Sequence, residues 1–227
     1  VCAKLSELSI PHQNSIALTG VKATLDGANK GPCVAVLGEL DSLIVKDHPF
    51  AHPTTGAAHA CGHHAQIAMM FSVAYGLLAK GVLPALTGRI ALMALPAEEY
   101  IEIEYRDELR KQGKLEFLGG KPEFIRLGAF DGVDMSMMCH TTSIPDEKQL
   151  ALSSTNNGIL AKYIQFLGQG AHAGSTPHLG INALNAASLA LMAIHANRET
   201  FKDEHTIRVH PIITKGGEAV NAVPADV

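Results

Sequence analysis

The sequence predicts an α/β protein of two domains, a larger one over residues 1–150 and a smaller α+β one over residues 151–227. Two observations predict this. The first part alternates three apolar runs with two helical segments, which is typical of a mostly parallel sheet with helices on both faces. After the polar stretch 141–158, the pattern changes to alternating segments around one amphipathic helix. With 227 residues, of which 47% are hydrophobic, the chain can bury a sizeable core.

Three apolar runs predict the parallel strands, because strands buried on both faces lack polar alternation. These runs are residues 31–42, 88–99 and 133–142. Pro96 ends the second strand, since proline cannot serve a central hydrogen-bond ladder. Small and apolar residues at helical spacing predict a helix over 64–81 that stops at a glycine. The charged segment 100–121 is predicted to be a second helix with a solvated face.

The smaller domain is predicted from three segments. Residues 159–169 alternate like a strand with one wet face, and residues 206–217 resemble another strand. Residues 182–199 between them have the apolar stripe of an amphipathic helix.

Charge and composition exclude several partners. The net charge of −4 provides no basic surface for nucleic acid. No stretch approaches the roughly 20 apolar residues of a membrane-spanning helix, and the first residues do not resemble a signal peptide. The four cysteines are far apart and form no CxxC pair, so we expect reduced thiols and a cytoplasmic location. The chain begins at Val1, as a processed product or a piece of a longer protein would.

Residues able to bind metals follow each predicted parallel strand. They are Glu39 and Asp41 after the first, Glu98 and Glu99 after the second, and His140 after the third. The segment "HACGHH" (59–64) precedes the intervening helix. Because ligands bind outside the carboxyl ends of parallel strands, we expect these groups to converge at one edge of the sheet.

The local spacing constrains the backbone at this edge. Cys61 and His63 can share a site only if the chain is turned between them, and Gly62 permits such a turn. Glu98 and Glu99 can both face one site because Pro96 has already ended the ladder. A thiolate, imidazoles and a carboxylate are ligands that suit zinc. Taken singly, the histidine segment could be a helix-capping loop, and the glutamates could favour a helix N-terminus through its dipole.

Seven ordered motifs resemble the dinuclear metal-dependent amidohydrolases and peptidases of the aminoacylase, carboxypeptidase and indole-acetyl-amino-acid hydrolase type. They are "GELDSL", "HACGHH", "PAEE", "MMCH", "GAHAGSTPH", "GINALNAA" and "GGEAVNAVP". The p-aminobenzoyl-glutamate hydrolase and β-alanyl-dipeptidase-like branch is the most similar. The resemblance runs over nearly the whole chain from about Gly31. It implies a catalytic domain interrupted by a ferredoxin-like lid that also forms the homodimer.

The resemblance also implies a role for each motif residue. Two divalent ions, zinc above all but also manganese, cobalt or nickel, would activate water to hydrolyse the amide of an N-acyl amino acid or a dipeptide. The implied metal ligands are Cys61, His63, Glu99 and His140. Glu98 is implied as the general base and Asp41 as the residue that orients a ligand. His172, Asn221 and, with a weaker match, His178 and His210 are implied to contact the substrate.

Departures from the family leave other functions open. The family's last histidine ligand lies beyond Val227 and its N-terminal section precedes Val1, so the chain resembles an internal fragment with four of five ligands. His64 replaces the more usual Asp or Asn, and a charged segment replaces the glycines after the paired glutamates. One alternative is a non-catalytic remnant that retains metal or dimerises. Another is a cysteine hydrolase with Cys61 as nucleophile and His63 or His140 as base.

Overall fold

A five-stranded mixed sheet organises the first of two units in this computed structural model, which describes residues 1–143, 150–152 and 155–227. The units are Val1–Gln149 and Leu150–Val227, and each is described by itself. Part of the predicted linker 141–158 lies outside the described residues. Among the described residues, no helix is long and apolar enough to cross a membrane.

The first unit contains seven strands and five helices among its described residues. The strands are β1 (His12–Ile16), β2 (Gly20–Asp26), β3 (Asn29–Glu39), β4 (Leu43–Ile44), β5 (Ala57–Ala58), β6 (Thr87–Leu95) and β7 (Met135–Met137). The helices are α1 (Cys2–Glu7), α2 (His63–Leu78), α3 (Val82–Ala85), α4 (Ile103–Lys111) and α5 (Gly120–Arg126). Strands β4 and β5 form a separate two-stranded sheet.

The three predicted parallel strands are the neighbours β6, β3 and β7. Glu39 pairs with Leu95 at the ends of β3 and β6, so both strands finish at the same edge. Val36 pairs with Met137 at the end of β7, which sends His140 toward that edge as well. Pro96 directly follows β6, as its missing N–H group requires.

The prediction of a mostly parallel sheet was wrong for its other half. Strands β1 and β2 form an antiparallel hairpin, and β2 also runs antiparallel to β6. The turn of this hairpin has positive φ at Ala17 and Leu18. Such turns normally use Asn or Gly, so the sequence lacked the usual hairpin signal.

Helices cover both faces of the sheet. One apolar cluster joins Leu5 of α1 and Met70 of α2 to Leu92 and Ala94 of β6. The other joins Phe124 of α5 to the alternate β6 residues, among them Met93. This alternation follows from the two-residue period of a strand, which points successive side chains to opposite faces.

The charged segment 100–121 is not one helix with a solvated face. Helix α4 buries Arg106, Asp107 and Leu109, and Arg106 is 8% exposed. The segment between α4 and α5 is not helical, because Gly113 leaves the helix with a φ of 69°. The prediction of a helix is therefore confirmed only for Ile103–Lys111, and the buried face of that helix was missed.

In the second unit, the predicted helix is confirmed and the predicted strands are not. Helix α6 runs from Ala183 to Asn197, and Asn182 caps it by accepting a hydrogen bond from the Asn185 N–H. Residues 159–169 and 206–217 form no strand, and the described residues of this unit pair only through isolated bridges. A ferredoxin-like lid is thus not observed in the described part. Alternation alone does not form a strand, which also needs a neighbouring strand for its backbone groups.

Candidate metal centre

The candidate centre lies where strands β3 and β6 end and helix α2 begins. His63 is the first residue of α2, and its side chain is 1% exposed. Its Nδ1 donates a hydrogen bond to the carbonyl oxygen of Asp41 at 2.9 Å. This bond places the proton on Nδ1 and leaves the Nε2 lone pair free to bind a cation.

Carboxylates surround the free Nε2 of His63. Glu39 Oε2 lies 2.9 Å from it and Glu99 Oε1 lies 3.9 Å from it. Nevertheless, Nε2 is buried and has no hydrogen-bond partner, because the geometry to Glu39 is not that of a hydrogen bond. Buried polar atoms in folded proteins nearly always have a partner. An orphaned imidazole nitrogen facing carboxylate oxygens is therefore suited to bind a metal ion.

Gly62 brings Cys61 and His63 to the same side of the chain. Its φ is 100°, in the left-handed region that favours glycine. A Cβ at this position would lie 2.2 Å from Thr141 Oγ1, which itself donates a hydrogen bond to the Cys61 carbonyl oxygen at 3.2 Å. On the same side, Cys61 Sγ lies 3.4 Å from Nε2 of His140.

The paired glutamates follow a strained turn. Ala97 has a φ of 55°, which is uncommon for a residue with a Cβ and is characteristic of functional sites. Glu99 donates its backbone N–H to Asp41 Oδ2 at 2.8 Å, so Asp41 contacts both His63 and Glu99. Asp41 therefore hydrogen-bonds to two of the residues predicted to be metal ligands.

Two groups of side chains are close enough to hold a metal ion among the described residues. One is Cys61, His63 and His140, and the other is Glu39, His63 and Glu98. In each group, one ligand atom per residue lies within 4.8 Å of the others. The first group contains a thiol and two imidazoles, which is the donor set that zinc prefers. These residues fit a bound divalent ion.

The charges at the site perturb two side chains. Burial raises the pKa of the Cys61 thiol to about 12, and the neighbouring carboxylate of Glu99 contributes. Burial also raises the pKa of Glu98, and Glu39 adds to this effect, while Lys121 opposes it. A thiol with so high a pKa is a poor nucleophile. A thiol becomes a metal ligand only when a cation displaces its proton.

Sequence reasoning missed the polar network beneath His63. Glu39 is 1% exposed, and its backbone N–H donates to Gln66 Oε1 at 2.9 Å. Gln66 Nε2 in turn donates to Glu39 Oε2 at 3.0 Å, and Lys121 donates to the other carboxylate oxygen. Gln66 lies three residues after His63 on α2 and so shares its face. That spacing is the signal that could have identified it.

Four residues of the second unit are predicted to contact the substrate. An antiparallel bridge pairs His172 with Ala222, and Ala173 donates a hydrogen bond to the carbonyl oxygen of Asn221 at 2.9 Å. His172 and Asn221 are therefore neighbours. His210 is exposed, in the segment that forms no strand, and His178 is exposed in a short 3-10 helix, Pro177–Leu179.

The tautomer of His172 follows from its contacts. Its Nδ1 accepts hydrogen bonds from the backbone N–H groups of Gly174 and Ser175, both at 3.1 Å. The neutral ring therefore carries its proton on Nε2, which makes that atom a hydrogen-bond donor.

Comparison with known proteins finds a family match for the second part of the chain and relatives that match most of its length. Residues 154–227 match the M20 peptidase dimerisation domain. Over 218 residues, the chain is 30% identical to one of the subunits of p-aminobenzoyl-glutamate hydrolase from Escherichia coli K12, covering 91% of this chain and 45% of that protein. It is 29% identical to indole-3-acetyl-aspartic acid hydrolase of Enterobacter agglomerans, with the same coverage. The chain spans about half the length of these relatives.

A solved structure with a similar fold is a provisionally assigned aminohydrolase from methicillin-resistant Staphylococcus aureus. It is 22% identical, has a TM-score of 0.57, and is matched over 99% of this chain and 56% of its own. At this identity, the similarity supports the fold alone.

Fold and site thus define an α/β unit with a candidate metal centre, followed by a dimerisation domain. Residues 154–227 belong to the M20 peptidase dimerisation domain, and the chain is a homologue of p-aminobenzoyl-glutamate hydrolase and indole-3-acetyl-aspartic acid hydrolase. The resemblance to amidohydrolases inferred from the seven motifs is confirmed.

Proposed function

We propose that this chain is part of a metal-dependent amidohydrolase or peptidase that cleaves the amide bond of an N-acyl or aminoacyl amino acid. The observation that carries this proposal is the buried, unpartnered Nε2 of His63, which faces carboxylates and lies next to the pair formed by Cys61 and His140. The names of the relatives support the class of reaction, since those proteins are a p-aminobenzoyl-glutamate hydrolase and an indole-3-acetyl-aspartic acid hydrolase.

Four residues would hold the metal ions. In this assignment, Cys61 would serve both ions, and His63, Glu99 and His140 would each serve one. Two bound divalent ions, zinc above all, would polarise the scissile carbonyl and make a water acidic enough to lose its proton near neutrality. Manganese, cobalt and nickel are the other candidates.

The remaining residues would handle protons and orient groups. Glu98 would accept the proton of the attacking water and deliver it to the leaving amine. Its raised pKa suits that exchange, because a carboxylate with a higher pKa holds a proton more readily near neutral pH. Asp41 would fix the ring of His63 through its carbonyl oxygen and the backbone of Glu99 through its carboxylate.

The lid would bind the substrate and a second copy of the chain. The dimerisation-domain match supports a homodimer. In it, His172 would reach the partner's site and donate from Nε2 to the reacting carbonyl, in the tautomer that its Nδ1 contacts require. Asn221 would help to hold the substrate, and His210 is a further candidate. The four cysteines are free thiols, which is in keeping with a cytoplasmic location.

A hydrolysis panel with metal control tests the function. The panel contains p-aminobenzoyl-glutamate, indole-3-acetyl-aspartate, N-acetyl amino acids and dipeptides ending in arginine. We expect hydrolysis of at least one class, its loss after chelation and its return with zinc or manganese. Activity that survives chelation but is abolished by thiol alkylation would instead support a cysteine hydrolase using Cys61. A folded, metal-loaded dimer inactive on every class would support a non-catalytic remnant.

A further inference from the structure

Lys121 is the cation nearest the candidate metal centre among the described ion pairs. Its Nζ donates to Glu39 Oε1 and lies 4.0 Å from Glu98 Oε1. The side chain of Lys121 is 33% exposed, whereas that of Glu39 is 1% exposed. Lys121 is thus a partly exposed cation that pairs with a buried carboxylate.

Two glycines before Lys121 allow the backbone to approach the site closely enough to place the lysine there. A Cβ at Gly120 would lie 1.7 Å from the carbonyl oxygen of Pro96, and one at Gly119 would lie 2.5 Å from the hydroxyl of Tyr100. Gly120 also donates its backbone N–H to the carbonyl oxygen of Ala97 at 3.1 Å. The start of α5 therefore packs directly against the turn that carries the paired glutamates.

Glu39 connects Lys121 to the predicted metal ligand. Lys121 holds Oε1, and Gln66 holds Oε2 at 3.0 Å. The same Oε2 lies 2.9 Å from Nε2 of His63, the atom that would bind the ion. Any movement of the Glu39 carboxylate consequently displaces groups on the face of α2 that contains both Gln66 and His63.

We propose that Lys121 is a positioning residue for the metal centre, which acts by holding the buried Glu39 carboxylate beside His63. This inference rests on the proposed metal-dependent function. If Lys121 is removed, the Glu39 carboxylate is a buried charge with no cation beside it. Such an uncompensated charge is costly enough to make the surrounding side chains rearrange. The carboxylate then turns or draws in water, and His63 loses the fixed surroundings on which ligand geometry depends.

The direct charge effect of Lys121 has the opposite sign. An ammonium group close to a cation site repels the cation, so its removal should tighten metal binding if charge alone matters. Positioning predicts weaker binding after the same substitution. The sign of the change in metal affinity therefore separates the two explanations.

The test measures the dissociation constant of Zn²⁺ by competition with a chromophoric chelator, using the whole chain. We expect Lys121→Met to weaken binding by about 10- to 100-fold, the range for lost partners of metal ligands. Lys121→Arg, which keeps the positive charge and a donor, should lose less zinc affinity than Lys121→Met does. The matched control is Lys114→Met, which removes an exposed lysine from the same segment and should change nothing.

A double variant tests the route through Glu39. Because Glu39 itself belongs to one of the groups able to hold a metal ion, the double variant Glu39→Gln with Lys121→Met is compared with Glu39→Gln alone. If Lys121 acts through Glu39, adding Lys121→Met should change the zinc affinity of Glu39→Gln much less than it changes that of the wild type. If Lys121→Met does not fold, as judged by circular dichroism, this pair decides: equal zinc affinities support the proposal, and a further loss in the folded double variant overturns it.

Unchanged or tighter binding by a folded Lys121→Met variant would overturn the proposal while leaving the metal centre intact. A wild-type chain that binds no zinc would instead overturn the proposed function together with this inference.

Discussion

Replacing Gly62 by alanine should move Cys61 away from His63 and His140. The residue has a φ of 100°, and the new Cβ would meet Thr141 Oγ1 at 2.2 Å. Rotation of Thr141 would move Oγ1 away but would leave its Cβ at 3.2 Å, which is still a tight contact. The left-handed backbone costs about 1–2 kcal/mol and the overpacking about 1–3 kcal/mol, so the free energy of unfolding should fall by about 2–5 kcal/mol.

Gly81 is the matched control for this substitution. It also precedes a helix, with a φ of 85°, but a Cβ there would meet nothing within 4 Å. Gly81→Ala should therefore lose only the backbone contribution, about 1–2 kcal/mol, and keep its zinc affinity. Gly62→Ala should bind zinc about 10- to 100-fold more weakly, as expected when the geometry around a ligand is disturbed.

Chemical denaturation and zinc competition measure the two quantities on the same preparations. Gly62→Ala should lose more stability and more zinc affinity than Gly81→Ala. Equal losses of stability with unchanged zinc affinity would show that Gly62 does not position Cys61.

Three further predictions concern other parts of the first unit. Glu98→Gln should retain its metal content by elemental analysis but lose about 100- to 10,000-fold in turnover on a panel substrate, because it removes the general base; full turnover would refute the assignment. Asp41→Ala leaves the backbone N–H of Glu99 without its 2.8 Å acceptor and should lower the free energy of unfolding by about 1–3 kcal/mol, whereas Asp41→Asn, which keeps an acceptor, should lose less. The hydrogen bond from Arg126 lowers the pKa of Glu123 below its usual value of 4.5, so this pair stabilises the fold above about that pH and loses its contribution as the pH falls through the lower, folded-state value. Acid titration of stability should accordingly be flatter in Glu123→Gln, and an unchanged titration would contradict the ion pair.

The parallel part of the sheet and its metal-binding edge could be predicted because their signals are local. Three apolar runs marked β3, β6 and β7, and the groups that follow these strands meet at one edge because parallel strands end together. The turn at Gly62 was also predictable, since only a turned backbone lets Cys61 and His63 face one site.

The N-terminal hairpin could not be predicted from turn residues. Its turn uses Ala17 and Leu18 at positive φ, where the usual signal is Asn or Gly. The alternation of buried Val21, Ala23 and Leu25 along β2 was the remaining signal, and it is the pattern of a half-buried strand.

The polar network around Glu39 depends on contacts distant in sequence. Lys121 meets Glu39 across 82 positions, which no periodicity indicates. Two adjacent glycines before the lysine were the only local sign, since such pairs allow a close backbone approach. The prediction of strands over residues 159–169 and 206–217 was wrong for a related reason. The alternation of a single segment does not encode which strand it would pair with.

The central claim is that Cys61, His63 and His140 hold a divalent ion at the carboxyl edge of the sheet. Elemental analysis of the purified chain after zinc loading and dialysis tests this claim most directly. We predict at least one zinc ion per chain in the wild type, and a loss of that ion in both Cys61→Ala and His63→Ala. A wild-type chain without zinc, or variants that retain it in full, would contradict the claim.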